Sequence, residues 1–168
     1  MKNIILIGMP ASGKSTVGVI LAKILGMSFM DTDLLIQQRE GMLLRDIIEQ
    51  RGVEAFLQCE EEALLSVEAE NTVIATGGSA VYSESAMEEF HKTGTICYLK
   101  VERDELFRRL KNIRERGVVL RDGEDIAEMY ENRSRLYEKN ADIVIPEKES
   151  TIEETVQAVE RAIRESSL

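Results

Sequence analysis

At 168 residues with 43 % hydrophobic content, the chain is the size of one domain and carries enough apolar mass for a real core. Its formal net charge of −10 argues against a nucleic-acid surface or an anionic membrane, because the field of the whole molecule repels both. No run approaches the roughly 18 apolar residues of a membrane span, and the N-terminus lacks signal-peptide features, so a cytoplasmic protein is expected. A monomer is expected too, though nothing in the sequence dictates the oligomeric state.

The first predicted element is a short apolar strand, Asn3 to Ile7, suited to the middle of a sheet. Gly8 to Thr16 follows, Gly-Met-Pro-Ala-Ser-Gly-Lys-Ser-Thr, in the spacing G-x-x-x-x-G-K-[ST]. A triphosphate needs several backbone N–H groups converging on its oxygens at the positive end of a helix dipole, and glycines permit that tight backbone. Gly8, Ala11, Ser12, Gly13, Lys14, Ser15 and Thr16 are therefore the candidate ATP-binding residues. Lys14 would bring a point charge to the outer phosphates, and the Ser15 hydroxyl would be a ligand of an octahedral Mg2+. Val17, Ile20, Leu21, Ile24 and Leu25 recur at helical spacing directly afterwards, which completes strand, loop and helix in the required order.

A second strand, Met27 to Met30, delivers Asp31-Thr32-Asp33. Helical segments then run from Leu34, broken at Gly41 and Gly52, and from Val53 to Ala69. A third strand, Thr72 to Thr76, runs into Gly77-Gly78-Ser79, and Ser83 opens a helix to about His91. The fourth strand is Thr95 to Val101, with a helix from about Arg103. The stretch from Ile113 to Gly123 loses periodicity and reads as a mobile loop. A helix from about Glu124 to Lys139 leads to a fifth strand, Asp142 to Ile145, stopped by Pro146, and Thr151 with Glu154 makes a capping box for the last helix.

Five strands separated by helices imply a three-layer α/β fold, a parallel sheet with helices on both faces. Ligands of such sheets sit at the carboxyl ends of strands, which gathers Gly8 to Ser15, Asp31 to Asp33 and Gly77 to Ser79 at one rim. The third strand ends without an acid, so the metal and base roles fall to the pair after the second. On an extended backbone, Asp31 would serve the metal and Asp33, two residues along on the same side, would accept a hydroxyl proton from an acceptor. The competing reading of such acids is helix capping. Seven lysines and arginines lie in the nineteen residues from Arg103 to Arg121, and an arginine in the predicted loop, Arg116 by preference, would close on the γ-phosphate and exclude water. Cys59 and Cys97 form no C-x-x-C and read as core residues, and His91 is the sole histidine, so zinc and Ser-His-Asp chemistry are poorly supplied.

These motifs, with Phe56 and Glu60 four apart and Arg133 four residues before Tyr137, resemble the shikimate kinases through nearly the whole chain. The resemblance implies a P-loop kinase fold with a lid at about 113–123, and phosphorylation of the shikimate 3-hydroxyl by MgATP. It assigns Asp33 to orienting that hydroxyl, Asp31 to the magnesium site, Gly77, Gly78 and Arg133 to the acceptor, with Arg133 on its carboxylate, Arg116 to the lid, and Arg109 to the adenine. The chain departs from the family pattern at Leu57, where a second carboxylate-binding arginine is usual, at Ala11 and Ser79, where glycine is usual, and at Arg116-Gly117, where Arg-Pro is common. Leu57 leaves open a different small hydroxy acid, such as homoserine, or a nearby Arg45 or Arg51 reaching in instead. A nucleoside monophosphate kinase would share the loop and lid but sit awkwardly with Asp31 and Asp33, and a non-catalytic nucleotide-binding module would have no use for Asp33.

Overall fold

The computed structural model describes residues 2–110, 118–147 and 150–166. Five strands, β1 (Asn3–Ile7), β2 (Ser28–Asp31), β3 (Thr72–Ala75), β4 (Gly94–Val101) and β5 (Ile143–Glu147), form one sheet in the order β2-β3-β1-β4-β5. Every neighbouring pair is parallel. Parallel pairing demands crossovers, and helices supply them: α1 (Lys14–Leu25), α2 (Thr32–Glu40), α3 (Leu44–Arg51), α4 (Val53–Leu65), α5 (Glu84–Thr93), α6 (Arg103–Arg109), α7 (Ile126–Asn140) and α8 (Ile152–Ser166).

Strand β1 is buried at every residue because it serves two cores at once. Its side chains alternate across the sheet: Ile5 and Ile7 join a cluster with Phe90, Leu106, Met129 and Tyr137, while Ile4 and Leu6 join Val17, Leu21, Val156 and Val159 on the other face. A third cluster lies at the side, where Ile36, Ile47, Phe56 and Ala63 from α2, α3 and α4 pack with Val119.

The helix ends follow local chemistry. Gly13 and Gly26 bound α1, both left-handed, and Gly26 donates its N–H to the Ala22 carbonyl. The expected capping box on α8 is present, with the Glu154 N–H on Thr151 Oγ1 at 3.2 Å and the Thr151 N–H on Glu154 Oε2 at 2.7 Å. Helix α4 stops at Leu65, short of Ala69, with Ser66 as its C-cap and the Ser66 hydroxyl on the Ala63 carbonyl at 2.7 Å. Pro146 does not stop β5, which runs on to Glu147. β5 lies at the edge of the sheet, where a missing N–H leaves no neighbour unsatisfied.

β4 begins at Gly94, which pairs with Asn3. A Cβ there would fall on Ile5 Cδ1 and 2.6 Å from the Asn3 carbonyl oxygen. Gly94→Ala is therefore expected to lose about 1–3 kcal/mol, the scale of overpacking, as a lowered urea midpoint with an unchanged slope. An unaltered midpoint would show that the strand ends can part without cost. None of the described helices is long and apolar enough to cross a membrane.

Candidate active site

The first turn of α1 starts where β1 ends, so the loop between them presents helix N–H groups at the carboxyl rim of the sheet. Gly13, in the left-handed conformation, turns the chain into the helix. Ala11 also has a positive φ of 61°, a conformation glycine would adopt more readily. Lys14 is buried, and its Nζ donates to the Gly8 carbonyl at 2.8 Å, the Met9 carbonyl at 2.7 Å and Ser12 Oγ at 3.2 Å. Burial lowers its pKa to about 8, against the opposing pull of Asp33. Ser15 and Thr16 are exposed on the same turn, and both line the cavity that opens here.

Asp31 is both a cap and a candidate ligand. It is the extended N-cap of α2, and its Oδ1 accepts from the N–H groups of Asp33 at 2.9 Å and Leu34 at 3.4 Å. Its Oδ2 accepts the Ser15 hydroxyl at 2.6 Å. Ser15 Oγ and Asp31 Oδ2, two hard oxygens from separate elements, are the donor type suited to Mg2+, which keeps several waters and leans on substrate phosphates. The expectation that Asp33 shares an extended backbone with Asp31 is corrected: Asp33 lies in the first turn of α2. The turn aims it inward, towards Gly77.

Gly77 admits two carboxylates to one place. A Cβ on it would stand 2.6 Å from Asp33 Oδ1 and 2.8 Å from Glu60 Oε1. Asp33 is pushed up to about 6 by burial and then by Asp31, with Lys14 opposing. Glu60 is pushed up to about 7 by burial, eased by the Ser79 hydroxyl that donates to its Oε2 at 2.6 Å. Its Oε1 has no partner among the described residues.

Arg133, on α7, is the largest of the fully buried side chains. Its Nε donates to the Tyr82 hydroxyl at 3.2 Å, Nη2 donates to the Val119 carbonyl, and Nη1 faces Gly78, where a Cβ would be 3.0 Å away. The Tyr137 hydroxyl, one turn along α7, donates to the Gly78 carbonyl and fixes the helix to that loop. Arg133 makes no ion pair with any described carboxylate, yet it lines a cavity of about 280 Å³ together with Lys14, Ser15, Asp33, Gly77 and Gly78.

The remaining expected residues divide. Arg109 reaches the phosphate loop, with Nη1 on the Ala11 carbonyl at 3.3 Å and on Glu147 Oε2 at 3.2 Å, and Nε on Glu105 at 2.7 Å. Arg116, and residues 113–117 of the expected lid, lie outside the described residues. Leu57 is half-buried against the third cluster and lines a neighbouring cavity rather than this one. Neither expected substitute replaces its charge here: Arg51 pairs with Glu40, and Arg45, exposed, pairs with Asp46 at 3.5 Å. Tyr82 and Glu147 were missed by sequence reasoning. Glu147 stands at the carboxyl end of β5, a position the strand-end rule marks once the strand is allowed to pass Pro146.

The family model described as shikimate kinase matches residues 10–164. A shikimate kinase of Alkaliphilus oremlandii is 38 % identical over 167 residues, covering 95 % of this chain and 97 % of the relative. Among solved structures, the shikimate kinase of Acinetobacter baumannii in complex with shikimate superposes with a TM-score of 0.91 at 26 % identity, covering 100 % of this chain and 96 % of that one. That of Aquifex aeolicus gives 0.86 at 34 % identity, covering 99 % and 98 %. Similar in sequence and in fold from end to end, the chain belongs to the shikimate kinase family.

Proposed function

We propose that this chain transfers the γ-phosphoryl group of MgATP to the 3-hydroxyl of shikimate. The observation that carries the acceptor is Arg133: a guanidinium this deeply buried, attracted by Glu60 but making no ion pair with a described carboxylate, is costly unless an anion completes it, and it faces the cavity shared by Lys14 and Asp33. An acceptor carboxylate on Arg133 leaves a ring hydroxyl to meet Asp33.

Gly8 to Thr16 hold the phosphates, with Lys14 neutralising charge at the transferred group. Arg109, fixed by Glu105 and Glu147, lies against the nucleotide. Ser15 and Asp31 would hold Mg2+, which would supply neutralisation of phosphate charge. Asp33 orients the acceptor hydroxyl. As its oxygen bonds to the γ-phosphorus and the bond from that phosphorus to the ADP oxygen breaks, the proton passes to Asp33. Gly77 and Gly78 let the acceptor approach the backbone, and Arg116 is assigned, on its motif alone, the closing guanidinium. The same reading makes the chain one domain, a cytoplasmic monomer without a nucleic-acid partner, in keeping with its charge of −10.

The direct test is ADP release with shikimate and with homoserine. A kcat/KM for shikimate of about 10⁴ M⁻¹ s⁻¹ or more is expected; background turnover of shikimate beside efficient use of the other acid would overturn the assignment. The pH profile is a second. Asp33 acts ionised, so kcat/KM should fall as pH drops through about 6, and Lys14 acts protonated, so it should fall again above about 8. A profile flat from pH 5 to 9 would contradict both roles.

A further inference from the structure

A cavity of about 610 Å³ adjoins the acceptor cavity, and Ser79 lines both. Leu57, Glu60, Tyr82, Arg51 and Arg121 stand in its wall. Arg51 is already paired with Glu40. Arg121, exposed, makes no ion pair with any described carboxylate. Its guanidinium carbon lies 4.0 Å from the Tyr82 ring centroid, and that of Arg133 lies 5.2 Å from the same centroid.

Two guanidinium groups gathered on one aromatic ring repel each other, and the ring quadrupole offsets that only weakly. Tyr82 is itself held by Arg133, through the bond from Nε to its hydroxyl. The root of Arg121 is fixed as well. Its N–H donates to Glu124 Oε2 at 3.2 Å and its carbonyl accepts the Glu124 N–H at 2.9 Å, in the turn that leads into the capping box of α7. Arg133 lies on that same helix. Two cations thus share one ring: Arg133, buried, with Nη1 turned to Gly78, and Arg121, exposed, with its guanidinium on the ring and no ion pair to a described carboxylate. An anion bound by both would relieve their repulsion and offer Arg121 a stronger, charge-assisted bond than the ring does.

We propose that Arg121 is the second guanidinium of the acceptor-carboxylate site: Arg133 takes one carboxylate oxygen and Arg121 leaves the Tyr82 face to take the other. Leu57 contributes no charge to this wall, so the specificity of the site for a carboxylate rests on the residue ahead of α7 instead. The inference depends on shikimate being the acceptor.

The test is steady-state kinetics with shikimate at saturating MgATP in the unmodified chain, in Arg121→Leu, in Arg121→Lys, and in Arg121→Leu combined with Leu57→Arg. Arg121→Leu should raise KM for shikimate roughly tenfold with kcat and KM for ATP within about twofold, since the contact is common to ground and transition states. Arg121→Lys should recover part of the loss, and Leu57→Arg in the Arg121→Leu background most of it. Added salt should raise KM of the unmodified chain more steeply than that of Arg121→Leu. An unchanged KM in Arg121→Leu, or an equal loss with an analogue whose carboxylate is replaced by hydroxymethyl, would overturn the inference while leaving shikimate as substrate. An unmodified chain that ignores shikimate would remove the acceptor assignment and this inference with it.

Discussion

Lys14→Ala should leave a folded protein whose kcat/KM has fallen by roughly 1,000-fold, the upper range for removing one preorganised donor from a transition state. The lysine is buried within its own loop, its three protons shared among Gly8, Met9 and Ser12. Its charge is already desolvated, so phosphate oxygens replace the loop acceptors rather than bulk water, and the lowered pKa of about 8 still leaves it mostly protonated at neutral pH. Removing it deprives two loop carbonyls of a donor, at about 1–3 kcal/mol for a buried unsatisfied group, so a fall in thermal midpoint must be separated from the loss of chemistry. Lys14→Met, which fills the same space, provides that control. If Lys14→Ala retained activity with an unaltered melting curve, the phosphate-loop reading would be wrong.

What the sequence made legible was local. The phosphate loop was readable because its spacing, the strand before it and the helical period after it all lie within Asn3 to Leu25. The capping box at Thr151 and Glu154 was readable for the same reason. Strand order was not, because periodicity reports which faces are buried and not which neighbour buries them. Pro146 was misread because a breaker rule ignores whether a strand lies at an edge, and that error concealed Glu147. Asp31 posed a choice between capping and metal binding; Oδ1 caps α2, and Oδ2 accepts the Ser15 hydroxyl from a separate element, a contact no local pattern reports. Tyr82 and Arg133 meet across a separation of 51 residues, and no local pattern announces such a contact. Ser79 looked like a lost glycine, yet its hydroxyl donates to one oxygen of Glu60, an acid that Leu57 leaves without a cation beside it in sequence.

Asp33→Asn should lower kcat by roughly 100-fold or more, the scale of general acid–base contributions, with KM for ATP little changed. The transition state of phosphoryl transfer is loose, so the acceptor oxygen needs orientation first and loses its proton late. Asp33 meets both demands: α2 fixes its backbone, Gly77 leaves room at its oxygen, and burial with Asp31 nearby lifts its pKa to about 6. At that value the group is ionised at neutral pH but a better base than a solvent-exposed aspartate. Asparagine keeps the size and one acceptor oxygen but cannot take the proton, so positioning survives in part and the acid limb of the kcat/KM profile disappears. Glu60, close by, does not substitute, because the Ser79 hydroxyl engages one of its oxygens and its raised pKa of about 7 leaves it partly protonated. Asp31→Asn provides the contrast: it should weaken the response to Mg2+ concentration while keeping the acid limb, since Asp31 shares a hydrogen bond with Ser15 rather than facing Gly77. If Asp33→Asn kept the unmodified kcat while Asp31→Asn abolished it, the two aspartates would have to exchange roles.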